Sequence, residues 1–216
     1  MLATMTFGGF IKLVVSRFFP TAMFVKGREK KTISITFDDG PHETNTLKIL
    51  GILKDHGVKA NFFLQGQEAE KLPHLVRAIH DGGHEIGNHA YHHSDCRKIS
   101  ADAFVAEVIQ AQEMMEAIVG TSLAKDVRPP YGSISFKSFI ALVRRGYRYV
   151  MWTDDSEDSF VGSSEQLIER VKGLPLGDGA VLLFHEDYDL TVEALPTLLE
   201  YFSENGFNVK TIGEMK

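Results

Sequence analysis

Thr32-Ile33-Ser34-Ile35-Thr36-Phe37-Asp38-Asp39-Gly40-Pro41 is the stretch from which the rest of the chain can be read. Ile33, Ile35 and Phe37 alternate with Ser34 and Thr36, the two-residue period of a β-strand. Two carboxylates follow, and Gly40-Pro41 then forces a turn. Neighbours inside a strand point to opposite faces, but at a strand end both Asp38 and Asp39 can reach one cavity. Carboxylates so close do not both ionise comfortably without a cation, and a metal held by one of them removes the conflict.

Outward from this strand, short apolar runs alternate with helical patterns. Ala60 to Leu64, Glu85 to Asn88, Val127 to Pro129, Arg148 to Trp152, Ala180 to His185 and Asn208 to Ile212 read as six more strands. Between them, Leu47, Leu50 and Leu53 mark a helix closed by Gly57. Leu72, Leu75, Val76 and Ile79 mark another that ends at Gly82-Gly83. Ser100 is placed to cap a long helix through Phe104, Val108 and Met115, stopping at Gly120. Phe139, Ile140 and Val143 precede Gly146, Ser163 with Gln166 resembles a capping box, and Thr191 to Asn205 forms the last helix. Regular alternation of this kind predicts an α/β fold of parallel strands with crossover helices. An open doubly wound sheet and a barrel both satisfy it, and both place chemistry just past the C-terminal ends of the strands.

The residues past those ends are reactive. His89 and His93 stand four apart, a spacing that shares one face of a helical turn and offers two imidazoles to one metal. With a strand-end aspartate as third ligand, an open position remains for water. His92 is expected at the surface. Arg128 precedes Pro129-Pro130-Tyr131-Gly132, where two prolines fix the backbone and leave an arginine able to orient a carboxylate. Asp154 to Asp158 reads as an acidic loop. His185 ends an apolar strand, where a histidine is placed to act as acid or base.

Composition narrows the function classes. The chain has 216 residues, 44% hydrophobic and 24% charged, with a formal net charge of −6. That is an ordinary globular mixture long enough for a full core, and it lacks the basic footprint of a nucleic-acid binder. The single cysteine, Cys96, cannot form an internal disulfide. Residues 1–26 form an apolar N-terminal segment, and residues 27–216 the expected catalytic domain. In that segment Phe7, Phe10, Ile11, Val14 and Phe18 follow helical spacing, with Lys12 and Arg17 off the stripe. Three readings stand: a helix that covers the domain's own core, an interfacial helix whose residues 7–18 rest on a membrane, and, last, a cleaved or uncleaved signal. No charge precedes the apolar run as a signal peptide requires. A cytoplasmic or membrane-associated location is therefore expected over secretion.

Taken together, these residues resemble the polysaccharide deacetylase family, the carbohydrate esterases related to nodulation-type chitooligosaccharide deacetylases. The likeness runs from about Thr32 to Ile212. Thr36-Phe37-Asp38-Asp39-Gly40 resembles the family's first motif and His89-Ala90-Tyr91-His92-His93 its second, which usually has serine or threonine after the first histidine. Arg128-Pro129-Pro130-Tyr131-Gly132 resembles the third, Asp155-Ser156-Glu157-Asp158-Ser159 the fourth, which usually ends in tryptophan, and Leu183-Phe184-His185 the fifth. The resemblance implies a distorted (β/α) barrel of about seven parallel strands. It implies that Asp39, His89 and His93 hold one divalent metal, zinc by preference, with cobalt, nickel or manganese as alternatives. Asp38 would be the general base, oriented by Arg128, which Asp158 would hold. The Tyr131 N–H would stabilise the oxyanion, His185 would be the general acid, and Leu183 would line the pocket for the acetyl methyl. The implied reaction removes N-acetyl groups from an amino-sugar polymer or oligomer and releases acetate. Two alternatives are a related amidase acting on a formyl or cyclic imide substrate, and an inactive barrel that binds glycans. Ala90 and Ser159 depart from the family pattern, the first at the metal loop and the second at the pocket wall.

Overall fold

The computed structural model describes residues 22–215. Nine parallel strands form one sheet: β1 (Met23–Phe24), β2 (Thr32–Gly40), β3 (Asn61–Leu64), β4 (Glu85–Asn88), β5 (Asp126–Val127), β6 (Arg148–Val150), β7 (Asp154–Asp155), β8 (Ala180–His185) and β9 (Asn208–Val209). Their spatial order is β1-β6-β5-β4-β3-β2-β8-β7, and β9 pairs with the start of β2, below the point where β3 joins. The helices are α1 (Asn45–Asp55), α2 (Gly66–Lys71), α3 (Pro73–Asp81), α4 (Ala101–Val119), α5 (Phe136–Val143), α6 (Ser164–Lys172) and α7 (Asp189–Glu204). The sheet curls into a partial barrel with β1 and β7 as its edges, in agreement with the distorted barrel expected.

The alternation in β2 explains the two sides of the sheet. Ile33, Ile35 and Phe37 face the helices in a buried cluster with Phe62, Leu64, Leu182 and Phe184 and with apolar residues of α1, α3, α6 and α7. The Phe37 ring lies 5.2 Å from Phe62 and 6.0 Å from Phe184. Ser34, Thr36 and Asp38 take the opposite face and are buried in the barrel interior, where the Ser34 hydroxyl donates to Asn61 Oδ1 at 3.2 Å and the Thr36 hydroxyl to the Leu182 carbonyl at 2.7 Å. A buried hydroxyl stays inexpensive only when so partnered. The polar half of the strand thus lines the interior and ends in the two aspartates.

Helix ends follow their signals. Ser100 accepts the Ala103 N–H at 3.1 Å, and Gly120 ends α4 at φ +76°. Ser163 accepts the Gln166 N–H, but the Gln166 side chain reaches back to Gly162 N–H at 2.9 Å rather than to Ser163. Three elements differ from expectation. Met23–Phe24, inside the segment assigned to residues 1–26, is a strand paired with Tyr149–Val150. Asp154–Asp155, expected in a loop, is a short strand paired with Leu182–Leu183. Gly66–Lys71 adds an unexpected helix. The proposed stripe Phe7 to Phe18 lies outside the described residues, among which no helix is long and apolar enough to cross a membrane.

Candidate active site

Strand register brings the reactive residues to one level. Asp38 pairs across β2 and β8 with His185, so these two strand-end residues stand side by side. Gly40 pairs with Leu64, Leu64 with Asn88, and Asn88 with Val127. The residues that leave these strands next are Gln65, His89 and Arg128. Asp39 would point away from Asp38 in a regular strand. It sits instead in a bulge, where the register to β3 shifts and its φ is +69°. A bulge re-aims a side chain in this way.

His89 and His93 converge by a different route from the helical turn expected. The segment after β4 is irregular, and Ala90 and His93 take φ +62° and +56°. The two rings are 5.1 Å apart between centroids. Of six non-glycine residues with positive φ among those described, Asp39, Ala90, His93 and Tyr131 belong to this site. Such conformations persist only where surrounding contacts impose them. Ala90 lacks the family hydroxyl, but its N–H donates to Asn88 Oδ1 at 2.9 Å and its carbonyl accepts from Gly66 N–H. Asn88 is itself fixed by the Val108 carbonyl at 2.8 Å. An amide from the strand below therefore braces the loop. His92 is exposed, as expected.

Asp39, His89 and His93 each bring one ligand atom to within 4.8 Å of the others. His93 Nε2 lies 3.1 Å and His89 Nε2 3.6 Å from Asp39 Oδ1. His89 Nδ1 meets the Arg128 carbonyl at 2.6 Å, which requires the proton on Nδ1 and leaves Nε2 with a free lone pair. Gln65 Nε2 donates to Asp39 Oδ1 at 2.8 Å. Two oriented imidazoles and one carboxylate fit a divalent metal with positions left for water and substrate. Burial opposes the Asp39 charge, but His89, His93, His185 and Gln65 hold its carboxyl below the usual carboxylate range. Burial and the neighbouring His89 lower His93, which keeps it neutral and ready to ligate.

Arg128 is wholly buried and built into the floor of the site. Its Nη1 donates to Asp38 Oδ1 and Thr36 Oγ1, both at 2.7 Å, and Nε donates to the Val150 carbonyl at 3.3 Å. Its guanidinium lies 4.1 Å from the Phe63 ring centroid and 5.6 Å from that of Trp152. Burial lowers its pKa and Asp38 pushes back; a guanidinium stays charged across that range. Tyr131 takes φ +59° after Pro129-Pro130, in a turn closed by Gly132 N–H to Pro129 O and Ser133 N–H to Pro130 O. Its exposed ring stands 4.7 Å from that of His93.

Asp158 is the main correction. The resemblance assigns it to Arg128, but both its oxygens are committed elsewhere. Oδ1 accepts His185 Nδ1 at 2.7 Å, and Oδ2 accepts the His185 backbone N–H at 2.7 Å and the Thr191 hydroxyl at 2.8 Å. Burial works against a charged His185, but the Asp158 hydrogen bond and charge, with help from Asp38 and Asp39, push its pKa up to about 9. The source of the charge on His185, which the sequence left unidentified, is thus Asp158. Leu183 lies two residues before His185 on the same inward face, opposite Thr36, and outside the open cavity. That cavity, of about 660 Å³, is walled by Asp39, Pro41, His42, Gln65, Lys71 and Asp187, among others. Gln65, Asn88 and Thr191 were not singled out in the sequence; the first two sit at strand ends, the position that signalled the others.

The polysaccharide deacetylase family matches residues 26–150. A peptidoglycan-N-acetylglucosamine deacetylase of Bacillus cereus is 34% identical over 190 residues, covering 86% of this chain and 68% of the relative. The crystal structure of the Bc1960 peptidoglycan N-acetylglucosamine deacetylase superposes with a TM-score of 0.86 at 32% identity, covering 93% of this chain and 95% of that one. A CE4 family pseudoenzyme from Bacillus anthracis superposes with a TM-score of 0.83 at 29% identity, covering 89% of this chain and 68% of that one. From the motifs, the curled sheet and these matches, the chain belongs to the polysaccharide deacetylase family.

Proposed function

We propose that the site hydrolyses the acetamide of N-acetylated amino-sugar units in a polysaccharide such as peptidoglycan, releasing acetate and a free amine. The observation that carries this reading is the pairing of Asp38 with His185 across β2 and β8, directly beside the Asp39, His89 and His93 cluster. A divalent ion held by that cluster, zinc by its donor set and otherwise cobalt, nickel or manganese, would polarise the acetamide carbonyl and acidify water.

The remaining roles fall to side chains. Asp38 Oδ1 is occupied by Arg128, so Oδ2, 3.8 Å from His89 Nε2, is the oxygen free to take the proton of the attacking water. Arg128 holds that carboxylate in place through its Nη1. The Tyr131 N–H is assigned to the oxyanion, where a preorganised donor acts most strongly. His185, protonated at neutral pH, holds its Nδ1 proton on Asp158 and gives the Nε2 proton to the departing nitrogen, a poor leaving group otherwise. Base and acid are thus held by separate partners, Arg128 on Asp38 and Asp158 on His185.

The fold alone does not guarantee turnover, since a pseudoenzyme shares it. Zinc-loaded protein should release acetate, and not formate, from N-acetylglucosamine oligomers or peptidoglycan. Asp38→Asn and His185→Ala should each lose about 10²–10⁴ in rate. Formate release would favour the formyl amidase, and binding without any turnover would identify an inactive glycan-binding barrel. Association of the intact chain with lipid vesicles, lost on deletion of residues 1–20, tests the membrane contact expected of residues 7–18.

A further inference from the structure

Single exposed aromatic rings are ordinary on a protein surface, so the informative point is where on the fold they stand. Among the described residues the most exposed are Phe160 at 85%, Phe136 at 78% and Tyr131 at 67%. All three are aromatic, and all three follow C-terminal strand ends, on the face that carries the catalytic residues. Tyr131 and Phe136 follow β5, and Phe160 follows β7. The walls of the open cavity come from segments after β2, β3, β4 and β8, which are adjacent in the sheet. The strands that bracket this block are β5 and β7. Aromatic rings therefore stand on both flanks of a central polar cavity.

This pattern fits a ligand that is polar at its edges and apolar on its faces. A pyranose ring has that character: its hydroxyls lie around the rim, and its C–H faces can lie on an aromatic ring. Ser159, at the position where the family usually has a tryptophan, is partly buried, and the adjacent Phe160 ring projects outward instead of filling the wall. Its backbone is held by Phe160 N–H to Glu157 O at 2.9 Å, two residues beyond the Asp158 that fixes His185. Phe136 is the first residue of α5 and has no part in the catalytic hydrogen bonds.

We propose that Phe136 and Phe160 are stacking platforms for sugar units on either side of the one being deacetylated, so that the enzyme selects the interior of a chain over short oligomers. This rests on the deacetylase reading of the central site. The test is steady-state kinetics of the zinc-loaded enzyme on two-unit and six-unit N-acetylglucosamine oligomers, for wild type, Phe136→Ala, Phe160→Ala and the double variant. Each lost ring should raise KM for the six-unit chain about threefold to tenfold with kcat unchanged, as expected for loss of one aromatic contact. Kinetics on the two-unit substrate should stay within about twofold of wild type, and Phe160→Tyr and Phe136→Tyr should restore the long-chain KM. Equal losses on both lengths would mark a merely structural role, and unchanged kinetics on the six-unit chain would overturn the proposal. Calorimetric binding of the fully de-N-acetylated six-unit chain needs no turnover. It should weaken in the alanine variants by the same ratio even if the wild type releases no acetate, an outcome that would refute the deacetylase reading alone.

Discussion

Asp158 illustrates what a single residue can and cannot disclose. Its place after a strand end marked it as part of the machinery, yet two cations compete for such a carboxylate and sequence spacing does not say which one it meets. Geometry decides for His185, at 2.7 Å through Nδ1. The consequence is a histidine with a pKa near 9. A histidine raised above its ordinary value adds stability below that ordinary value, and this stability fades as pH rises through the native pKa. As the proposed general acid the same group has to be protonated to release the amine, so activity should fall on the alkaline side. In Asp158→Asn the alkaline limb of the kcat/KM profile should move down by a pH unit or more, with metal content unchanged. An alkaline limb that stays in place would show that Asp158 does not set the protonation of His185. Asp38, by contrast, was legible to the level of its partner: Arg128 meets it as the paired motifs implied.

At the scale of elements, long periodic segments were readable, while two of the shortest strands were not. Ser34, Thr36 and Asp38 alternate against an apolar set over enough residues to specify both faces of β2. β1 and β7 are two residues each and carry no period at all; neighbours in the sheet recruit them. The segment from His89 to His93 has helical spacing but folds as a loop, because Asn88 and Gly66 hold the Ala90 backbone at positive φ. Close packing between strands also sets the floor of the site. An ideal Cβ on Gly87 in β4 would lie 2.4 Å from two atoms of the Phe63 ring, and that ring stacks on Arg128. Gly87→Ala should therefore cost about 1–3 kcal/mol of stability through overpacking. Below its melting temperature it should also lower kcat with metal content intact, since Arg128 and with it Asp38 are displaced. Gly51→Ala in α1, with nothing within 4 Å of the added Cβ, is the control and should leave kcat unchanged. A fully active Gly87→Ala protein would show that the Phe63 contact does not position Arg128.

For the molecule as a whole, alternation along the chain pointed to parallel strands, while the choice of a curled barrel over an open sheet came only from family resemblance. Periodicity is the same in both, and closure depends on twist and register that a single sequence does not display. The curl gathers loops from β2, β4 and β5 around the cluster of Asp39, His89 and His93, at a cost. Asp39, Ala90, His93 and Tyr131 sit in left-handed conformations, of order 1–3 kcal/mol each. A cation held by Asp39, His89 and His93 in the native state alone would add its binding free energy to folding. Metal binding should consequently appear as global stabilisation. At free zinc about a hundredfold above its dissociation constant, linkage gives about 2.7 kcal/mol, which for a chain of this size corresponds to a rise of roughly 5–10 °C in Tm. Scanning calorimetry in chelator and in zinc measures it directly. The rise should vanish in His89→Ala and in His93→Ala but persist in His185→Ala, whose side chain stands beside the cluster without belonging to it. A wild-type Tm indifferent to zinc, or an equal rise in all three variants, would place the metal elsewhere.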